Sequence, residues 1–165
     1  MEIRKYQSSD LKVICELFYE TINTINRYDY NNDQIKVWSN RSNFLLTQDD
    51  FFNSMYTLVA VENEKVLGYG NIDKRGYLDH LYVHKDYQGK QIATKLCDKL
   101  EQYCKDVKSL TVHASISAKP FFEKRGYKVI KEQSVKVDNV YLTNYLMEKT
   151  ITIHILNLII LSHNQ

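Results

Sequence analysis

Apolar and polar positions alternate along this chain in two rhythms, and the switches between them mark out its elements. Ile3–Tyr6 has the period of a short strand. Behind Ser8 or Ser9 as a cap, Leu11, Ile14, Cys15, Phe18, Ile22 and Ile25 share one face of a helix. A polar loop with Tyr28 and Tyr30 follows, then a helical piece around Gln34–Trp38; Thr47, with Asp49 and Asp50 behind it, starts another short helix. The middle of the chain changes to strand rhythm. Tyr56–Val61 turns through Glu62-Asn63-Glu64-Lys65 into Val66–Ile72 as a hairpin, and Tyr77–Val83 forms the next strand after Asp73-Lys74-Arg75-Gly76. A helix over Ala93–Val107 presents Leu96, Cys97, Leu100, Tyr103 and Cys104 to a sheet, and Ser109–Ser115 is again a strand. Ser117 caps a short helix with Pro120 in its first turn and Gly126 at its end. Tyr127–Val137 and Val140–Glu148 pair as a last hairpin across Asp138-Asn139.

The order β-α-α-β-β-β-α-β-α-β-β predicts an α/β fold. Hairpins make antiparallel neighbours, whereas the helical crossover from Tyr77–Val83 to Ser109–Ser115 demands a parallel, right-handed unit. The expectation is a mixed, mostly antiparallel central sheet with one parallel β-α-β crossover and helices on both faces. No repeat, low-complexity tract or linker interrupts residues 1–149, which read as a single domain. Residues 150–165 read as an apolar C-terminal extension. Its run Ile151–Leu161 is shorter than the ~20 residues a membrane-spanning helix needs, so it is expected to pack on the domain or form a homodimer contact.

Charge changes this picture little: 22 basic and 20 acidic residues leave a net +2, which offers no electrostatic case for nucleic acid or an anionic membrane. Cys15, Cys97 and Cys104 form no CxxC or CxxH pair; they read as buried reduced thiols, and no metal is expected. No signal peptide is evident at the N-terminus, so the expected compartment is the cytoplasm. The 13 tyrosines suit half-buried strands or the wall of a pocket.

The segment Gln88-Gly89-Lys90-Gln91-Ile92-Ala93 carries the clearest chemistry. It joins the strand end Leu81-Tyr82-Val83 to a helix start, where backbone N–H groups lack partners and the helix dipole is positive. Such a turn binds phosphate, and a diphosphate in particular. The chain contains neither GxxxxGK[ST] nor GxGxxG, so the ATP and dinucleotide loops are not the source of that pattern.

With this segment the chain resembles the GNAT superfamily of N-acetyltransferases, which move an acetyl group from acetyl-CoA to an amine. The resemblance spans about residues 1–149. The segment Leu81-Tyr82-Val83-His84-Lys85-Asp86-Tyr87-Gln88-Gly89-Lys90-Gln91-Ile92-Ala93 resembles the family's strand end followed by Gln/Arg-x-x-Gly-x-Gly/Ala at a helix start. A second signature, Asn-x-x-Ala-x-x-Phe-Tyr-x-x-x-Gly-Phe/Tyr, is similar to Ser115, Ala118, Phe121, Phe122, Gly126 and Tyr127. Ala118–Lys124 and Leu142-Thr143-Asn144-Tyr145 resemble the bacterial YafP-like branch.

The resemblance implies acetyl-CoA as cosubstrate and a small-molecule or peptide amine as acceptor, which attacks directly. It implies cofactor contacts from Leu81, Tyr82 and Val83, from Gln88, Gly89, Lys90, Gln91, Ile92 and Ala93, and from Ser115, Ala118, Phe121 and Phe122. The N–H of Leu81 or Tyr82 would polarise the acetyl carbonyl. Candidate bases are Asp79 and His80, expected on opposite faces of their strand, with His113 third. Tyr28, Tyr30 and Trp38 would line the acceptor pocket. The chain departs from the family's pattern at three places. Gln91 replaces a common glycine and requires a negative φ to sit comfortably. Ser115 stands where an Asn is frequent. Phe122 replaces the usual thiolate-protonating tyrosine, leaving that role to Tyr127, Tyr145 or water. Phe122 and Gln91 also fit an alternative, a CoA-binding module of this fold without catalysis.

Overall fold

One seven-stranded sheet organises residues 1–151, the part of the chain that the computed structural model describes. Its strands are β1 (Glu2–Lys5), β2 (Tyr56–Glu62), β3 (Lys65–Ile72), β4 (Tyr77–Val83), β5 (Ser109–Ser115), β6 (Lys128–Val137) and β7 (Val140–Thr150). They lie in the order β1-β2-β3-β4-β5-β7-β6. The pair β4/β5 is parallel and every other neighbouring pair antiparallel, as the crossover and hairpins predict. The run from residue 152 onward, which holds most of the apolar extension, lies outside the described residues.

Strand alternation sends the apolar side chains into two cores. Leu58, Leu67, Ile72 and Leu78 face α5 (Ile92–Tyr103), which contributes Ile92, Leu96, Cys97 and Leu100. Val59, Val66 and Tyr69 face the other layer, where α1 (Leu11–Thr24) supplies Ile14, Leu17, Phe18 and Ile22. That layer also holds α2 (Asn32–Ser39), α3 (Arg41–Leu45) and α4 (Asp49–Ser54), and α6 (Lys119–Lys124) follows β5. Helices therefore cover both faces. Gly68 and Gly70 on β3 allow α5 to lie close: a Cβ there would come within 3.1 Å of Ile92 Cγ2 and of Leu100 Cδ1 respectively.

Several expected element ends shift, each for a local reason. Neither Ser8 nor Ser9 caps α1. A short 3₁₀ turn over Ser8–Asp10 precedes the helix, and the Asp10 carboxylate accepts from Gln7 N–H and Arg4. α3 was not legible as an element; it follows α2 directly at Asn40, with helical φ and ψ throughout. α5 stops at Tyr103 instead of Val107, because Cys104 leaves the helical region and its thiol reaches Asp73 C=O at 3.2 Å. Ala118, not Ser117, is the N-cap of α6, while Ser117 Oγ donates to Asp29 at 2.6 Å. α2 starts with a reciprocal capping box, Asn31 and Gln34 exchanging bonds of 2.9 Å.

Candidate active site

The parallel ladder between β4 and β5 covers two residue pairs, Tyr77↔Thr111 and Leu78↔Val112, and then the strands part. At the parting point β4 carries a bulge: Leu78 pairs with Ile72 and His80 with Asn71, leaving Asp79 as the extra residue. The bulge explains how Leu78 and Leu81, three apart, both face the α5 core. Its stay is Asn71, fully buried, whose Oδ1 accepts from His80 N–H at 2.8 Å.

The bulge overturns the expectation that Asp79 and His80 face opposite sides. Strict alternation fails at an inserted residue, and Asp79 Oδ2 lies 3.4 Å from His80 Nε2. Tyr77 OH donates to Asp79 Oδ1 at 3.1 Å, and Tyr69 OH stands 3.1 Å from His80 Nδ1. Phe18, Phe51, Phe52 and Tyr82 surround the imidazole. Burial holds its pKa below the ordinary histidine value against the pull of Asp79, with Arg41 adding to the depression. Buried Tyr69 is itself pushed far above the usual phenol range, so it keeps its proton and donates it. His80 thus receives a hydrogen bond at Nδ1 and carries its own proton at Nε2, toward the Asp79 carboxylate, which can only accept.

Both groups open into a cleft of about 750 Å³ between the parted strands. Its floor is β4 from Tyr77 to Val83, and its far wall is β5 with His113 and Ser115. Ala118, Phe121 and Phe122 of the α6 region, and Tyr30, Trp38 and Arg41 of the α1–α3 side, also line it. Tyr30 is held rigidly, its hydroxyl donating to Thr143 C=O at 2.7 Å and accepting from Ile116 N–H at 2.9 Å. Trp38 meets its ring edge-on at 5.2 Å.

At the mouth, Gln88, Gly89, Gln91, Ile92, Ala93 and Thr94 line the cleft. Lys95 N–H is the first of α5 to bond backward, to Gln91 C=O at 3.0 Å, so the N–H groups ahead of it lack helical partners. Gln88 Nε2 donates to Val83 C=O at 2.7 Å, and Thr21 Oγ1 donates to the same oxygen at 3.0 Å, which fixes the turn and α1 to the end of β4. Gly89 and Gln91 both have positive φ, +73° and +60°. The expectation of a negative φ at Gln91 is therefore corrected: the turn needs a left-handed residue there whichever side chain occupies it. Lys90 is not among the lining residues; its ammonium sits over the Tyr87 ring at 4.6 Å.

Three other expected residues stand apart from the cleft. Tyr28 is 85% exposed and does not line it. Tyr127 is buried behind α5, with its hydroxyl donating to Glu101 at 3.2 Å. Tyr145 lies opposite Ala114, under the ammonium of Lys119 at 5.4 Å. The cysteines are free and buried, and burial pushes Cys15 up to about 11 and Cys97 to about 12, leaving inert thiols. Asn71, Tyr69, Tyr77 and Arg41 are the residues sequence reading passed over. Of these only Asn71 carried a signal, a lone amide inside the apolar strand Val66–Ile72.

No helix among the described residues is long and apolar enough to cross a membrane. The model of the acetyltransferase (GNAT) domain family matches residues 26–149. The chain is 29% identical over 147 residues to the uncharacterized N-acetyltransferase YafP of Escherichia coli (strain K12), covering 89% of this chain and 94% of that one. A crystal structure of a GCN5-related N-acetyltransferase from Rhodopseudomonas palustris superposes with a TM-score of 0.86 at 29% identity, over 90% of this chain and 94% of that one. The PaiA N-acetyltransferase of Thermoplasma acidophilum, crystallised with coenzyme A, has the same fold, with a TM-score of 0.70 at 21% identity over 90% of this chain and 98% of that one. With its parted β4/β5 pair, its open turn before α5 and a family match over most of its length, this chain belongs to the GNAT family of N-acetyltransferases.

Proposed function

We propose that residues 1–149 act as one catalytic unit that transfers an acetyl group from acetyl-CoA to a primary amine by direct attack. The observation that carries this reading is the open strand edge of β4 next to the unbonded turn at residues 88–94. The turn offers a row of N–H donors to the diphosphate, and β4 beyond Leu78 offers its free edge to the pantetheine arm as an added strand would use it. Acetyl-CoA supplies the activated acetyl group.

Leu81 N–H is the donor that meets the carbonyl oxygen as negative charge builds there. Val83 C=O is turned to the open edge, where Thr21 and Gln88 reach it, and strand alternation turns Leu81 the same way. His80 N–H instead goes to Asn71 on β3, and Tyr82 C=O lies against Gly68, so Tyr82 faces β3 as well. Asp79 pairs with the acceptor's ammonium and takes its proton, and His80 is the positioning residue that holds the carboxylate. As the C–N bond forms, the C–S bond breaks and the thiolate leaves, and the extra proton on the new amide nitrogen passes to the thiolate or to water. A thiol with a pKa near ~8.5 tolerates departure as the anion, which accommodates Phe122 in place of an acid.

Calorimetric titration of the protein with acetyl-CoA, beside ATP and NAD, tests the first half of this reading, and release of CoA on a panel of primary amines tests the second. Binding of acetyl-CoA alone with amine-dependent CoA release is expected. Phe122 and the strained Gln91 favour one other reading, a non-catalytic acyl-CoA binder; acetyl-CoA binding without turnover on any amine would establish that instead.

A further inference from the structure

The cleft lining contains one arginine, Arg41, and one acidic side chain, Asp79, groups of opposite sign. Asp79 is engaged by Tyr77 and His80. Arg41 is not engaged. Arg4, Arg75 and Arg125 are each held by a carboxylate, whereas among the described residues neither the exposed Arg27 nor Arg41 has one, and of those two only Arg41 lines the cleft. Trp38 and Leu45, on neighbouring turns, and Tyr82 on the sheet line the same cleft. The charge acts in the same chamber as the proposed base, since it lowers the pKa of both His80 and Tyr82.

Arg41 is exposed, so water hydrates its guanidinium in the free protein, and an incoming anion can meet it without first breaking a protein ion pair. Its planar fork matches a carboxylate with two parallel bonds, and a phosphate nearly as well. The cleft lining thus combines a cation-seeking group on β4 with an anion-seeking group on α3. An acceptor that is an amine alone would use only the first.

We propose that the acceptor is a small amine that also bears an anionic group, a carboxylate foremost, with its nitrogen at Asp79 and its anion on Arg41. This rests on the acetyl-transfer reading and narrows it to a class of acceptor. The aromatic wall of Tyr30 and Trp38 would flank the carbon skeleton between the two ends.

The test uses pairs of amines that differ only in the anion: phenethylamine and phenylalanine, tyramine and tyrosine, putrescine and ornithine, ethanolamine and phosphoethanolamine. Binding to the acetyl-CoA-loaded protein is read by calorimetry, and CoA release is read alongside it. Wild-type protein is expected to bind at least one anionic member about 10-fold more tightly than its partner. Arg41→Gln should remove that preference through KM, and Arg41→Lys should restore part of it. The phosphoethanolamine arm separates a phosphate acceptor from a carboxylate one. Equal binding within every pair, or a preference untouched by Arg41→Gln, overturns the proposal, including when no anionic member binds. Because binding is read without turnover, loss of the acetyl-transfer reading shows separately, as acetyl-CoA binding with no CoA release from any amine.

Discussion

Gln91 holds φ +60° and ψ 17°, a left-handed conformation in which the Cβ crowds the following carbonyl at a cost of about 1 kcal/mol. Gln91→Gly relieves that strain where the turn enters α5. Thermal melts should show a midpoint 2–4 °C higher, roughly the value of 1 kcal/mol in a domain of this size, and acetyl-CoA should bind at least as tightly. Asp79 and His80 make a different kind of pair. Since Nδ1 of His80 receives Tyr69 OH and Nε2 points its proton at the carboxylate, the imidazole has no free lone pair, and Asp79 alone presents one to the cleft. Asp79→Asn should therefore lower kcat by about 10²–10⁴-fold while the calorimetric affinity for acetyl-CoA stays as it was. His80→Gln should cost less and act on the rate and not on the cofactor. Equal losses in the two variants would return the base to His80.

At the scale of elements, the site depends on how closely β3, β4 and α5 approach one another. Gly70→Ala would drive a Cβ to 2.9 Å from His80 C=O and 3.1 Å from Leu100 Cδ1. Neither neighbour can yield freely, one being backbone and the other a core side chain. Denaturant unfolding should show a loss of about 1–3 kcal/mol, and the displaced bulge should take activity with it. The strands, the crossover and the open turn before α5 were all legible in the sequence, because each is written in local terms: alternation, a helical stripe, a glycine before a helix. The bulge was not. One inserted residue leaves no mark on a strand's apolar pattern, and it is the tertiary bond from Asn71 that sets where alternation slips. For the same reason the Asp79–His80 contact and the Tyr69 bond stayed hidden, and the tyrosine candidates for the acid were misjudged. Tyr127 lies on the right motif, but its hydroxyl is drawn to Glu101, 26 residues earlier on α5. Arg41 sits on a five-residue helix that no periodicity announces.

For the molecule as a whole, His80 and His84 tie stability to pH. Burial depresses both pKa values in the folded state, with Lys65 also lowering His84, so the folded protein declines protons that the unfolded chain accepts near ~6.5. Their contribution is complete above that value and is lost progressively as pH falls below it. The thermal midpoint should be lower at pH 5.5 than at pH 7.5, and His80→Phe should flatten that difference. Asp49, held low by the hydroxyls of Tyr6 and Ser8, adds its own loss only at more acid pH, below ~4. The short ladder between β4 and β5 has a further consequence. Two residue pairs are a thin seam across a seven-stranded sheet, and the strands on either side can open as separate cooperative units. In the free protein, amide exchange should be slowest in β2 and β3 and distinctly faster in β5 and β7. A molecule seated along the open edge of β4 would bridge that seam, so acetyl-CoA should slow exchange on both sides of it at once and merge the two halves into a single unfolding unit.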